Sequence, residues 1–141
     1  MPLWAFNHGP NAFSLEEKEN LAKTITKLYT TFGLPRFFVQ VTFTEFPPTS
    51  LFIGGEGRST FTAITIHHVA RSFQSDEQKK RFLDHVDSIL NPVFESKGMD
   101  WEYYVSESPR DLWKTNGIYP PEMGPEMDKW VELDRPLKRE V

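Results

Sequence analysis

The sequence predicts an α+β fold built from two tandem βαβ units, and three observations carry that prediction. A Ser-x-x-Glu/Gln helix start occurs twice, at Ser14 to Glu17 and at Ser75 to Gln78. Each start opens an amphipathic stripe that stops at a glycine, Gly33 and Gly98. Each helix is flanked on both sides by short apolar or alternating runs of strand character. Parallel strands joined through a helix cross over in the right-handed sense. Two such units give a four-stranded sheet with two helices on one face.

In chain order, Leu3-Trp4-Ala5-Phe6 is a short strand closed by the turn Asn7-His8-Gly9-Pro10. Ser14 caps the first helix, whose stripe is Leu21, Ile25, Leu28 and Phe32, with Pro35 blocking its continuation. Phe37, Val39, Val41 and Phe43 alternate and predict a strand over 37–44, which Pro47-Pro48 ends. Residues 49–60 contain Leu51-Phe52-Ile53 and Gly54-Gly55-Glu56-Gly57, the pattern of a short hairpin. That glycine cluster lacks the lysine and the following helix of a phosphate loop. Phe61 to Val69 is the third major strand. The second helix carries Phe82, Val86, Ile89 and Val93, and Pro92 predicts a kink or break near Ser88–Asn91. Asp100 to Val105 is the fourth strand. Arg110 to Lys114 fits one helical turn, and the proline-rich remainder predicts an extended arm with a loose end from Leu137 to Val141. The expected organisation is one domain over 1–141, with a first βαβ unit at 2–46, a second at 61–106 and a C-terminal arm at 109–141.

Composition narrows the function. The 141 residues suffice for one substantial core, and 38% hydrophobic with 14% aromatic residues is a globular balance. The net charge is −4 and the basic residues are scattered, which argues against nucleic acid as a partner. There is no cysteine, so disulfides, thiolate metal sites and a cysteine nucleophile are excluded. No apolar run approaches the length of a membrane span and no leader pattern opens the chain, so a cytoplasmic protein without a membrane partner is expected. The His67-His68 pair is a poor metal site, because adjacent strand residues point to opposite faces. No metal and no organic cofactor are expected. One sheet face would lack helices, and a face rich in Phe and Val left bare is an oligomer interface candidate.

Pro2 is the residue with the most unusual chemical potential. With Met1 removed it becomes a secondary amine, held rigidly at the start of a buried strand. Model α-amino groups titrate at roughly pH 7.7–8.0, and burial lowers that value toward a neutral base. Arg71 follows the third strand and precedes the second helix, a position suited to a carboxylate, which guanidinium binds bidentately. The competing role is an ion pair with Asp76 or Glu77. Tyr29 lies one place off the first helix's clearest stripe, at a core edge or with its hydroxyl in a cavity. On the fourth strand Trp101 and Tyr103 share one face, and Glu102 and Tyr104 the other.

The amino-terminal Pro-apolar strand, the tandem βαβ units and the arginine after the third strand together resemble the tautomerase superfamily, and within it the cis-3-chloroacrylic acid dehalogenase-like group. The likeness is carried by Met1-Pro2, Leu21 to Thr26, Gln40 to Glu45, Phe52 to Gly55, the Ile66-His67 strand leading to Arg71, and Trp101 to Pro109. It covers most of residues 2–121. It implies a homotrimer with the bare sheet faces packed around a central barrel. It also implies a pocket at Pro2, whose nitrogen moves a proton to or from carbon. The resemblance assigns the catalytic proline to Pro2 and the substrate carboxylate to Arg71. The water-activating or substrate-binding tyrosine falls on Tyr104, with Tyr103 one register slip away.

Three positions depart from the dehalogenase pattern. Tyr29 stands for a histidine, Gln74 for a second arginine, and Thr115, beside Asn116, for a glutamate. A threonine does not act as the general base that hydration requires. The missing carboxylate and a nearby Arg71 both favour a neutral Pro2, and the missing second arginine opposes this. These features point to a cofactor-independent enzyme acting on a small 2-oxo or unsaturated carboxylic acid. In it Pro2 moves the proton, and Arg71, assisted by Gln74, Thr115 and Asn116, binds substrate. Tyr29 and Tyr104 orient it, and Phe6, Phe37 and Trp113 supply apolar walls. Hydratase, dehalogenase or decarboxylase chemistry on 3-substituted acrylates, or a non-catalytic trimeric binding module, are the alternatives.

Overall fold

The computed structural model describes residues 1–69 and 71–139. Strand β1 (Pro2–His8) leads through a loop to helix α1 (Leu15–Thr30) and then β2 (Gln40–Glu45). A small hairpin, β3 (Phe52–Ile53) with β4 (Glu56–Gly57), precedes β5 (Phe61–His68), helix α2 (Asp76–Glu95) and β6 (Asp100–Glu107). The main sheet has the order β2-β1-β5-β6, with β1 parallel to β2, β5 parallel to β6, and the central pair β1 and β5 antiparallel. The α+β fold with two tandem βαβ units therefore stands.

Alternation along the strands explains where the helices sit. Pro2, Trp4, Phe6 and His8 of β1 are buried, whereas Leu3, Ala5 and Asn7 are half-buried. The antiparallel register pairs Trp4 with Ile66 and Phe6 with Ile64, so these apolar pairs share one face. Leu21 and Ile25 of α1 and Val86, Leu90 and Phe94 of α2 pack on that same face in one core. Ser14 forms the full capping box, accepting from the Glu17 amide at 3.1 Å while its own amide donates to the Glu17 carboxylate at 3.0 Å. At Ser75 only half of the box forms. Its hydroxyl accepts from the Gln78 amide, but the Gln78 side chain accepts from the Gln74 amide at 2.8 Å.

Four expectations need correction. Arg36–Phe38 is a 3-10 turn rather than the first part of the strand, so β2 begins at Gln40. Phe37 and Phe38 point in different directions, and both meet Trp130, at 5.9 and 6.3 Å between ring centroids. Helix α2 is not broken at Pro92 but continues through it to Glu95. Leu90 and Phe94 are buried on either side of the proline, and packing of both turns offsets the lost hydrogen bond. The helix-free face is not rich in Phe and Val. It carries Leu3, Ala5, Ala63, Thr65, Gln40 and Thr42, because the pleat turns Val41 and Phe43 toward the helices, where Phe43 stacks on Phe6.

The fourth correction concerns the chain after Pro109. The short turn is present at Arg110–Leu112, but the rest is not a purely extended arm, since it contains helix α3 (Pro125–Leu133). Met127 and Trp130 of α3 are buried. Asp134, in the left-handed region with φ 50°, accepts from the Phe37 amide at 3.0 Å and from Arg36 at 2.9 Å. Leu137 packs against the core, while Glu140 and Val141 lie outside the described residues. Trp130→Ala is expected to cost about 3–5 kcal/mol, as a large core aromatic does, read as a shift of the urea midpoint. Gly9 is required by close approach, because a Cβ there would lie 1.9 Å from the Ser59 carbonyl oxygen.

Candidate active site

The topology gathers one end of the sheet into a site. The start of β1, the end of antiparallel β5 and the end of β6 meet there, and the C-terminal turn of α1 and the N-terminal turns of α2 close over them. Between these elements lies a cavity of about 620 Å³. Its apolar walls are Leu28, Phe32, Leu34, Phe73 and Phe82, not Phe6, Phe37 and Trp113. Phe6 is fully buried in the core, Phe37 packs on Trp130, and Trp113 packs on Phe38.

Tyr29 and Arg71 both line the cavity, as does Gln74. The Tyr29 hydroxyl accepts a hydrogen bond from Trp4 Nε1 at 2.9 Å, which leaves its own proton to donate. Burial pushes the phenol pKa upward, against the effect of Trp4, so Tyr29 stays a donor. Arg71 Nη2 donates to the Phe32 carbonyl at 2.9 Å, just past the end of α1. The alternative pairing of Arg71 with Asp76 or Glu77 is not found among the described residues, where Asp76 pairs with Lys79. The Gln74 side-chain amide donates to the Ser72 carbonyl at 3.1 Å.

Pro2 is fully buried and sits directly opposite His68 in the β1–β5 register. The amino group of Met1 is lowered from 8.0 to about 4, first by burial and then by the charge of Arg110. Arg110 is thus a second cation, beside Arg71, at the end of the fold where the amino terminus lies. Arg110 also lines the cavity, pairs with Glu122 at 3.5 Å and donates to the Pro120 and Pro121 carbonyls.

The other candidates lie elsewhere. Tyr103 faces α2 and its hydroxyl donates to Asp87 at 2.6 Å; burial first, and then this hydrogen bond, raise its pKa and keep it protonated. Tyr104 is 60% exposed on the helix-free face. Thr115 bridges to Ile118 across a turn in which Asn116 has φ 49°, and neither Thr115 nor Asn116 lines the cavity. His67 and His68 do point to opposite faces, and no cluster of three or more His, Cys, Asp or Glu able to hold a metal occurs among the described residues.

Sequence reasoning missed His68, Arg81, Arg110 and Glu122 as cavity residues. His68 had a findable signal, since its strand parity matches that of the buried Ile64 and Ile66. Arg110 and Glu122 had none, because they arrive from the tail through turns. Glu122 brings a carboxylate to the cavity, although not at the position of Thr115, and it is engaged by Arg110 with its side chain largely exposed.

The chain matches, over residues 1–135, the family model described as "Putative oxalocrotonate tautomerase enzyme". It is similar to the crystal structure of a "probable enzyme" from the thermophilic fungus Aspergillus fumigatus, with 52% identity, a TM-score of 0.93, and 99% of this chain and 98% of that chain covered. It is also similar to RhCC from Rhodococcus jostii RHA1, with 32% identity, a TM-score of 0.92, and 97% and 99% covered. N1, a member of the cis-3-chloroacrylic acid dehalogenase family, shares 25% identity at a TM-score of 0.70, with 91% and 89% covered. None of the curated proteins matches the sequence.

Proposed function

The chain belongs to the tautomerase superfamily, and on that premise we propose that it is a cofactor-independent enzyme using Pro2 to transfer a proton on a small 2-oxo or unsaturated carboxylic acid. One observation carries the proposal. Pro2 is the direct register partner of His68, and His68 lines the same cavity as Arg71, Arg110 and Tyr29. Removing Met1 exposes the Pro2 nitrogen at that same end of β1.

In this scheme the substrate carboxylate pairs with Arg71. The neutral Pro2 amine takes the enol O–H proton, and the O–H electron pair becomes the second bond of the ketone. The C=C π pair then takes that proton from the prolinium at the adjacent carbon, the N–H pair returns to nitrogen, and the isomerisation balances without a co-reactant. Tyr29 donates a hydrogen bond to the developing enolate oxygen, which a preformed donor in a water-poor site stabilises. Leu28, Phe32 and Phe82 hold the side chain of the acid. The test is ketonisation of phenylenolpyruvate, followed by its ultraviolet absorbance, with processed wild-type protein.

Tyr29→Phe is expected to lower kcat about 10²-fold. It also leaves the buried Trp4 indole unpaired, costing about 1–3 kcal/mol of stability. Dechlorination of 3-chloroacrylate by hydration should be slower than ketonisation by about 10²-fold or more, because Glu122 is committed to Arg110 and Thr115 supplies no base. Chloride release at a rate equal to ketonisation would overturn that ranking. The proposed assembly is a cytoplasmic homotrimer. The small side chains Ala5, Ala63 and Thr65 leave room for a second sheet to approach, and Tyr104 reaches a cavity only from a neighbouring copy. Multi-angle light scattering tests the trimer.

A further inference from the structure

We infer that His68 is a positioning residue for the processed amino terminus, its Nδ1 accepting a hydrogen bond from the Pro2 amine and so aiming the amine's lone pair into the cavity. The inference rests on the proposed role of Pro2 and adds a partner that neither the family description nor the matched structures assign.

Three independent observations meet at this ring. Pro2 and His68 are direct partners in the antiparallel β1–β5 pair, which places side chains of opposed residues roughly 5 Å apart on one face. Both occupy the helix-side face, and His68 is 8% exposed. Nδ1 of His68 is buried without a hydrogen-bond partner among the described residues. A buried, unpaired imidazole nitrogen costs free energy unless something occupies it. A neutral proline amine has one N–H and one lone pair. Giving the N–H to Nδ1 leaves the lone pair for chemistry.

The ring is held firmly enough to aim. Phe73 stacks on it with centroids 4.9 Å apart and an interplanar angle of 12°, and Phe82 lies at 5.3 Å. The Phe73 amide in turn donates to Glu107 at 2.9 Å, and Glu107 is the register partner of His68 on β6. Burial lowers the imidazole pKa most, the Glu107 charge opposes this, and the amino terminus lowers it further, with smaller opposed effects from the Arg71 backbone and charge. These effects favour the neutral ring, in which one nitrogen accepts, and Nδ1 is the nitrogen left without a partner. Around it stand Tyr29 of α1, which is protonated, and the other charged or titratable groups lining the same cavity, Arg71, Arg81, His85, Arg110 and Glu122.

An acceptor on the amine favours its protonated form, so removing the acceptor lowers the amine pKa. His68→Leu is expected to lower the pKa of ¹⁵N-labelled Pro2 by about one unit in an NMR titration. The acid limb of kcat/KM should move down equally, and kcat should fall about tenfold through lost aim. His68→Asn, whose side-chain oxygen stands where Nδ1 does, should restore most of both effects. An unchanged Pro2 titration in folded His68→Leu, or an Asn variant no closer to wild type than Leu, overturns the inference. If acetylated Pro2 turns over substrate as wild type does, the proline reading fails instead. The titration then still decides whether His68 holds the amine.

Discussion

Acetylating the Pro2 amine, or retaining Met1, is expected to lower phenylenolpyruvate ketonisation by about 10²–10⁴-fold, the range that a positioned proton-transfer group contributes. Retention makes the Pro2 nitrogen an amide, which has no lone pair available for a proton. In the unprocessed chain Met1 is also held on β5, its carbonyl accepting from the Val69 amide at 3.3 Å. Mass spectrometry of the protein used in the assay, combined with its rate, checks the result. The unprocessed chain carries a further signature. Its amine is pulled from 8.0 in the unfolded chain to about 4 in the fold, so the unfolded state binds the extra proton between those values. Stability is full above pH 8 and falls as the pH drops toward 4, as the urea midpoint across that range would show.

Arg71→Ala is expected to lower kcat/KM about 10²-fold, with the larger part in KM. A charge-assisted hydrogen bond is worth about 1.5–3 kcal/mol, and a bidentate carboxylate contact has two. Arg71 is steadied by the Phe32 carbonyl and pairs with no carboxylate among the described residues, so its charge is turned toward the cavity rather than neutralised. Arg71→Lys should recover only part of the loss, since an ammonium lacks the planar fork. Wild-type kcat/KM in Arg71→Ala, measured with a 2-oxo acid, would place the carboxylate elsewhere, with Arg110 or Arg81 next in line.

The scaffold was legible because it rests on local chemistry. The Ser14 box, the Leu21–Ile25 stripe and the parity of Ile64 and Ile66 are short-range signals, and each specifies an element or its buried face. The failures came where distant packing decided. Phe37 and Phe38 read as strand until Trp130, from the far end of the chain, gave both rings a place to bury. Pro92 read as a break until Leu90 and Phe94 anchored its two sides. In the site, Tyr29 and Arg71 were accessible from their places beside α1 and β5. Arg110 was not, because a turn and a proline-rich stretch set its position and no periodicity marks it. Tyr104 shows the remaining gap. Its parity correctly puts it opposite Tyr103, but that face is exposed in a single chain, and Tyr104 does not line the cavity.

The central claim is that Pro2 is a neutral base, and the most direct measurement is the titration of the ¹⁵N-labelled Pro2 amine in processed wild-type protein. Burial and the charge of Arg110 lower the Met1 amine of the unprocessed chain to about 4, and the same causes acting on the Pro2 amine after processing predict a pKa below 7, with the acid limb of kcat/KM at the same pH. A Pro2 amine that titrates above pH 8, or an active protein that still carries Met1, would contradict the account.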